Sequence, residues 1–318
     1  MHPDYFSERI NAMFLIITNQ IFKMLLLLLV GCVCYRLKLV DQNGNKMLAN
    51  LLLMVVNPML AIMSMQTDYN PQLVRGLLLS YGLAIATHII IIVFSRLVIR
   101  DRLDQNYAID RFSMIYANCG FMGIPLVQSI LGSEGVLYLT AYMVVFNIFS
   151  WTQGIGLMTG STSFQEFKKA LLSPMIIASV LGLVLFFLRI RLPGVVADTM
   201  NYISSMNTPL AMMIAGISVA QTDIPSMLRN KRIYLISACK LLVMPAIVLV
   251  MLAILHADPT VSCVTLVAAA CPCAATGTAF ALRFHKDYKY ASELYAFSTV
   301  VSLATIPLWV IAAELLLM

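Results

Sequence analysis

The sequence predicts an all-α membrane protein with ten transmembrane helices. Of its 318 residues, 60% are hydrophobic and only 11% are charged, and the mean hydropathy is +0.87. A soluble domain usually carries about a quarter of its residues as charged side chains. Apolar runs of about 20 residues, the length that crosses a hydrocarbon core of roughly 30 Å, recur along nearly the whole chain. The lipid bilayer is therefore the expected surrounding of most of the protein.

Ten apolar runs are separated by short polar connections. These connections leave no room for a nucleotide-binding domain, and the sequence contains no GxxxxGK[ST] phosphate loop, which argues against an ATP-driven pump. The spans are expected at residues 12–35, 46–65, 73–98, 111–131, 135–159, 172–190, 196–220, 233–255, 260–282 and 290–316.

The basic residues predict the orientation. Of the 21 Lys and Arg residues, 15 lie in alternate connections, and connections rich in positive charge face the cytoplasm. We therefore expect a multi-pass protein of the cytoplasmic membrane with both termini outside. The formal net charge of +6 reflects this topology, so no nucleic-acid partner is expected.

An internal repeat relates the two halves of the chain. Residues 57–63 read NPMLAIM and residues 207–213 read NTPLAMM, which matches Asn57 to Asn207 at an offset of 150. Five spans per half is an odd number, so the halves must cross the membrane in opposite directions. The sequence thus predicts two inverted five-helix repeats, 1–159 and 160–318.

Two spans carry helix-breaking residues at matched positions. The fourth contains NCGFMGIP at 118–125, the ninth contains CPCAATGT at 271–278, and Pro125 and Pro272 are 147 residues apart. Proline lacks an N–H and glycine relaxes the backbone, so each segment is expected to unwind. Either segment alone would be interpreted as a proline kink repaired by its neighbours. Two of them at matched positions favour broken helices inside protein or around a hydrated cavity.

The interior charges favour an anion. An unwound centre exposes the N–H groups of a half-helix, whose partial positive charge attracts anions. Lys23, His88 and Lys240 lie near the middle of their spans, whereas the acidic residues are almost all outside the spans. Apart from Asp198, within a turn of the start of its span, the exceptions are Glu293, close enough to the cytoplasmic side to pair with a basic neighbour, and Glu314 near the outer end. A mono- or dicarboxylate is the expected substrate.

Several of these polar groups have alternative structural interpretations. Lys23 and Lys240 are too central to snorkel easily, so each is expected to have a buried structural or functional partner. His88 suits a helix-packing hydrogen bond as well as a proton carrier. Asn57 and Asn207 either hold helices together or line the substrate path.

Cys271, Pro272 and Cys273 form a CPC triplet of the type that soft-metal pumps place in a membrane helix. The chain has no DKTG phosphorylation motif, and two cysteines beside a proline also suit a tight unwound segment. A soft-metal-binding membrane protein is therefore the alternative of another class, and no cofactor or resident metal is expected. The chain also lacks HExxH and GxSxG motifs, so no enzymatic activity is expected.

At the same residues the sequence resembles the auxin efflux carrier family, which includes plant auxin exporters and bacterial carriers for malate, malonate and related acids. The resemblance covers the whole chain. It is carried by Asn57-Pro58, by the fourth-span run from Asn118 to Leu126, by the run from Lys240 to Pro245, and by Ser298-Thr299 and Thr305-x-Pro307 in the last span.

The resemblance implies a scaffold of spans 1, 2, 6 and 7, which forms a homodimer, and a mobile transport unit of spans 3–5 and 8–10. Its broken helices would cross at Pro125 and Pro272, with the substrate carboxylate near Asn118, and the unit would shift in an elevator-like manner. The implied substrate-binding residues are Asn118, Cys119, Gly120, Gly123, Pro125, Pro272, Cys273, Ala274 and Thr276.

One departure from related folds bears on ion coupling. Sodium-coupled bile-acid carriers share the implied fold and use a carboxylate in the ninth-span break, where this chain has residues 273–276, CAAT. A bile-acid-like sodium symporter is therefore the alternative within transport. The short connection between spans five and six favours the bacterial organic-acid branch over the plant exporters.

Overall fold

The computed structural model describes residues 3–100, 104–161, 165, 168 and 171–317, with side chains from residue 15 onward. Regular structure in these ranges is helical, apart from one isolated backbone bridge, so the predicted all-α class is confirmed. The helices used below are α1 (Pro3–Arg36), α2 (Gln42–Ser64), α3 (Pro71–Val98), α4 (Tyr107–Ile115), α5 (Cys119–Thr159), α6 (Pro174–Phe187), α7 (Gly194–Ala220), α8 (Lys231–Leu255), α9 (Pro259–Ala270), α10 (Ala275–Arg283) and α11 (Tyr288–Leu317). A short helix, Ile224–Arg229, precedes α8.

Seven of the described helices are long and apolar enough to cross a bilayer, namely α1, α2, α3, α5, α7, α8 and α11. The apolar helices α6 and α9 have 14 and 12 residues. At 1.5 Å per residue they are only about 21 and 18 Å long. A multi-pass membrane protein is therefore supported, and the arrangement of ten spans as an inverted repeat stays a prediction. Residues 1, 2 and 318 at the termini lie outside the described residues.

Large apolar side chains cover much of the outer surface. Phe22, Leu78 and Ile254 are 60%, 65% and 71% exposed, although each lies within a long apolar helix. A water-soluble protein would bury such side chains in its core. Their exposure is what a lipid-facing surface requires.

The break in the fourth span lies earlier than the sequence predicted. Residues 116–118 are not helical, whereas Pro125 lies inside the continuous helix α5, so the expectation that the helix unwinds at Pro125 is wrong. The reason is a π-helical turn, Cys119–Gly123, in which the N–H of Ile124 bonds the carbonyl of Cys119 five residues earlier. The wider turn displaces the carbonyl that the proline ring would otherwise meet.

Two other prolines follow the same rule. The π-helical turns Leu52–Val56 and Cys239–Val243 each end two residues before a proline, Pro58 in α2 and Pro245 in α8. Each turn closes with a bond from an N–H to the carbonyl five residues earlier. In the ninth span, by contrast, Pro272 does interrupt the helix: α9 ends at Ala270 and α10 begins at Ala275.

A sharp bend divides α5. Gly132 adopts φ +62°, a left-handed conformation that strongly favours glycine, and the helix changes direction there. The residues before Gly132 correspond to the second half of the predicted fourth span, and those after it to the predicted fifth span.

The helices pack in two groups with further contacts between them. In one group, α1 packs along α7, while α2 contacts α6 and α7. In the other, α5 contacts α3 and α9, and α11 contacts α9 and α10. The α1–α7 contact is close, because an added Cβ at Gly31 would lie 2.2 Å from the Met213 carbonyl oxygen and one at Gly216 would lie 1.9 Å from that of Leu28. Glycine at both positions lets the two backbones touch.

Candidate functional site

The two helix breaks meet and bond to each other through their backbones. The N–H of Asn118 donates to the carbonyl of Pro272 at 2.8 Å, and the N–H of Ala274 donates to that of Tyr116 at 3.0 Å. Together these bonds form an antiparallel bridge centred on Ala117 and Cys273. Unwound backbone in an apolar surrounding must find such partners, since each unpaired polar group is costly. The breaks therefore stabilise each other, and they touch at Ala117 and not at Pro125.

Unpaired hydrogen-bonding groups surround this crossing. Asn118 is 5% exposed and its Nδ2 has no hydrogen-bond partner, although the Tyr295 hydroxyl lies beside it. Thr276, in the first turn of α10, also has a buried hydroxyl without a partner. The N–H of Cys273, by contrast, donates to the Ser298 hydroxyl at 3.2 Å. Buried polar groups are usually paired, so the free amide and hydroxyl mark a place where a polar ligand would fit.

Gly120 places the start of α5 next to α2. Gly120 is partly exposed, and a Cβ added there would lie 3.2 Å from Met143 Cε and 3.5 Å from Nδ2 of Asn57. Gly123 is closely packed, since its Cβ position is 3.4 Å from the Cys271 sulfur in the other break. Both glycines permit close approach, but only Gly120 faces a polar group from α2.

Asn57 and Asn207 bond directly to each other. Nδ2 of Asn207 donates to Oδ1 of Asn57 at 2.7 Å, and both residues are buried. Nδ2 of Asn57 and Oδ1 of Asn207 have no further partner. The pair therefore joins α2 to α7 and leaves a free donor facing the start of α5.

Lys240 is fully buried beside the crossing. Its ammonium donates to the carbonyl of Ala269 at 3.4 Å and is close enough to Cys119, Cys271 and Cys273 to interact with them electrostatically. Within the described part of the chain, no carboxylate lies at ion-pairing distance from it. A buried cation thus lies next to the two breaks without an anionic partner.

The other polar residues singled out by sequence lie in different surroundings. His88 is buried, its Nδ1 lies 2.8 Å from the Ala84 carbonyl oxygen, and its ring stacks on Phe149 with centroids 5.3 Å apart. Glu293 is buried in α11, and its Oε1 has no hydrogen-bond partner. Lys23 is exposed on α1 of the single chain, whereas the adjacent Met24 lies on the buried face of the helix, and a buried partner for Lys23 stays a prediction.

The cysteines of the crossing do not form a metal cluster. Among the described residues, no three His, Cys, Asp or Glu side chains are grouped so that they could hold a metal ion. The Cys271 thiol donates instead to the carbonyl of Val267 at 3.3 Å. A soft-metal site made by Cys271 and Cys273 alone stays an alternative that metal binding must test.

An ion network that the sequence did not predict lies at the other end of α4. Arg232, at the start of α8, bonds the carboxylates of Asp104 and Asp110, and the Tyr290 hydroxyl donates to Asp110 at 2.6 Å. The hydrogen bond from Arg232 lowers the pKa of Asp104, which lies in the connection before α4. The sequence places Arg232 in the basic connection between the predicted seventh and eighth spans. Only the fold reveals its acidic partners, which are 122 and 128 residues away.

Comparison with known proteins identifies the family. The sequence profile of a family described as membrane transport protein matches residues 16–310, which is most of the chain. The chain belongs to this family. It is the auxin efflux carrier family that the motifs of the fourth and eighth spans resemble.

Relatives within the auxin efflux carrier family are also described as transporters. The chain is 26% identical over 194 residues to an uncharacterized transporter of Methanothermobacter thermautotrophicus, and 25% identical over 202 residues to the uncharacterized transporter MJ1031 of Methanocaldococcus jannaschii. It is 25% identical over 207 residues to the uncharacterized transporter YfdV of Escherichia coli K12. These matches cover 60–62% of this chain and 63–65% of the relatives. The family and its members point to a membrane transporter and not to an enzyme.

Proposed function

We propose that this protein is a secondary carrier of a small organic anion, a mono- or dicarboxylate, across the cytoplasmic membrane. The observation that carries the proposal is Lys240, a fully buried cation beside two paired helix breaks, with no carboxylate at ion-pairing distance in the described chain. Because an uncompensated charge is costly in an apolar interior, binding of an anion nearby is favoured.

The neighbouring groups suit a carboxylate in particular. Asn118 Nδ2 and the Thr276 hydroxyl are unpaired, and a carboxylate accepts hydrogen bonds from such donors. The first N–H groups of α10 have no partners within the helix and carry partial positive charge. The crossing thus offers donors and positive potential together. It has no carboxylate in its break residues, 116–118 and 271–274, which speaks against a bile-acid-like sodium site.

The packing supports an elevator-like movement of one helix group against the other. In the proposed ten-span arrangement of two inverted repeats, 1–159 and 160–318, the scaffold contains α1, α2, α6 and α7. The transport unit contains the helices that carry the breaks. Asn57 and Asn207 belong to the scaffold, and Gly120 belongs to the transport unit, so their contact lies at the sliding surface. The substrate would move past this asparagine pair with the unit.

The exposed Lys23 supports a homodimer formed through the scaffold. It lies in a long apolar helix, and a lysine facing lipid at this depth is costly. A second copy that covers this face of α1 would shield its charge from the hydrocarbon. The basic connections support the proposed orientation with both termini outside.

A thermal-shift screen tests the substrate class. The purified protein is heated with mono-, di- and tricarboxylates, and a ligand that binds only the folded state stabilises it by RT ln(1 + [L]/Kd). We expect at least one mono- or dicarboxylate to raise the Tm of the wild type but not of Asn118→Ala. The control Asn201→Ala changes an exposed amide in α7 and should respond like the wild type.

Transport of the same acid is then measured in proteoliposomes. Uptake that needs sodium would favour the bile-acid-like alternative. Stabilisation by soft metals alone, lost on Cys271→Ser, would favour the metal-binding alternative. Absence of both stabilisation and uptake for the whole acid panel would overturn the proposed function.

A further inference from the structure

The first half of the broken ninth span ends in the interior, and its last carbonyls are all close to the crossing. An α-helix leaves its final carbonyls without partners inside the helix. In α9 the carbonyl of Val267 accepts from the Cys271 thiol at 3.3 Å, and that of Ala268 accepts from the Cys271 N–H at 3.4 Å. The carbonyl of Ala269 accepts from the Lys240 ammonium at 3.4 Å. A charged side chain from another helix thus caps the C-terminal end of α9.

Such a helix end attracts a cation. The C-terminus of a helix carries partial negative charge, which water screens at a protein surface but not in a membrane interior. Secondary carriers commonly bind sodium or a proton at the C-terminal ends of half-helices and at unwound carbonyls. Here the fully buried ammonium of Lys240 contacts that end of α9.

The same ammonium lies near both breaks. It lies within electrostatic range of Cys119 at the start of α5 and of Cys271 and Cys273 in the ninth-span break. The crossing residues contribute no carboxylate that could attract a further cation, and a sodium ion bound beside Lys240 would be repelled by it. The Lys240 ammonium therefore occupies the position at the C-terminal end of α9 where a mobile cation would otherwise bind.

We propose that Lys240 is a tethered cation that takes the place of a coupling ion at the C-terminal end of α9, so that the carrier moves its anion without sodium. The transport part rests on the proposed function. The other part, that the Lys240 ammonium supplies the positive charge at the C-terminal end of α9, is testable without any substrate.

Replacement of the cation provides the test. Lys240→Ala removes the ammonium and three methylene groups, which together have the size of propylammonium. Thermal unfolding of the purified protein is measured in sodium, choline and propylammonium chloride at equal ionic strength, with propanol as the neutral analogue of propylammonium. We expect the Tm of Lys240→Ala to be several degrees below that of the wild type, and propylammonium, but not propanol or choline, to recover much of the difference.

Two further variants provide the controls. Lys240→Arg keeps a cation at the position and is expected to unfold like the wild type in all three salts. Lys23→Ala removes a lysine that is exposed on α1 and should gain nothing from propylammonium. If Lys240→Ala does not fold, the wild type and Lys240→Arg decide the question, because neither should be stabilised by sodium relative to choline.

Specific results overturn the proposal. Selective stabilisation of the wild type by sodium would mean that a mobile cation still binds there. A Lys240→Ala protein that unfolds like the wild type in choline, or that gains nothing from propylammonium, would mean that α9 needs no cation. In proteoliposomes, wild-type uptake should be equal in sodium and in choline. If no acid binds or is taken up, the proposed function fails, while the salt series still decides the role of Lys240.

Discussion

Asn207 donates a 2.7 Å hydrogen bond from Nδ2 to Oδ1 of Asn57, a residue 150 positions earlier that occupies the matching place in the internal repeat. In a pair of inverted repeats, equivalent residues touch each other only near the axis that relates the halves. The contact therefore supports the proposed repeat, whose axis would pass between α2 and α7. It also explains why asparagine suits both positions, since one amide can donate while the other accepts.

The first prediction concerns this pair. Asn57→Ala leaves the Asn207 amide buried without its partner, which costs about 1–3 kcal/mol. We expect a clear drop in Tm in detergent, whereas Asn201→Ala, at an exposed position of α7, should have little effect. The double variant Asn57→Ala, Asn207→Ala should be less destabilised than the sum of the single variants, because the two residues share one bond. If the losses of stability in the two single variants add up to the loss in the double variant, the bond between Asn57 and Asn207 does not contribute to stability.

The second prediction concerns the buried carboxylate of Asp110. Its side chain is fully buried, and Arg232 and Tyr290 both bond to it. Asp110→Asn removes one of the two carboxylates that compensate Arg232, the other being Asp104. Loss of one partner of a buried pair costs about 3–5 kcal/mol, and we expect the lower end because Arg232 is 31% exposed.

Asp68→Asn is the matched control. Asp68 also pairs with an arginine, Arg191, but its side chain is fully exposed, and pairs of that kind contribute about 0–1 kcal/mol. Thermal unfolding of both variants decides the matter. Equal Tm values for the two variants would contradict a larger contribution of the Asp110 network to the stability of the protein.

The third prediction is a pH dependence that originates in Asp104. The hydrogen bond from Arg232 lowers the pKa of this carboxyl in the folded protein. A lowered folded-state pKa means that the contribution to stability is complete above the ordinary pKa of about 4 and is lost as the pH falls through the folded value. The wild type should therefore be more stable than Asp104→Asn at neutral pH, with the difference shrinking in acid.

Tm values measured between about pH 6 and pH 3 provide the check. Asp198→Asn, at an exposed position of α7, should follow the wild type throughout this range. A Tm difference between the wild type and Asp104→Asn that stays constant over this pH range would mean that Asp104 is not the origin of the pH dependence.

The sequence predicted the membrane class and the ninth-span break at Pro272, because hydropathy and proline are local signals. It did not predict that the fourth-span break would lie at residues 116–118, before Cys119. The π-helical turn Cys119–Gly123 accommodates Pro125, so this proline does not interrupt the helix. The partners of Arg232 were missed for a different reason: their contacts join residues more than 100 positions apart. Position along a span also did not reveal that Lys23 lies on an exposed face of α1, because it does not determine which face of a helix points outward.

The fourth prediction concerns the close contact of α1 and α7. A Cβ at Gly216 would lie 1.9 Å from the carbonyl oxygen of Leu28, and this backbone atom cannot move without moving α1. Gly216→Ala should therefore separate the two helices and destabilise the protein by roughly 1–3 kcal/mol or more, as overpacking does. Gly82→Ala is the control, since Gly82 lies inside α3 with no atom within 4 Å of its Cβ position. Alanine there should be neutral or stabilise the helix by about 0.5–1 kcal/mol. If the two variants unfolded at the same temperature, α1 and α7 would have to be farther apart than the structure shows.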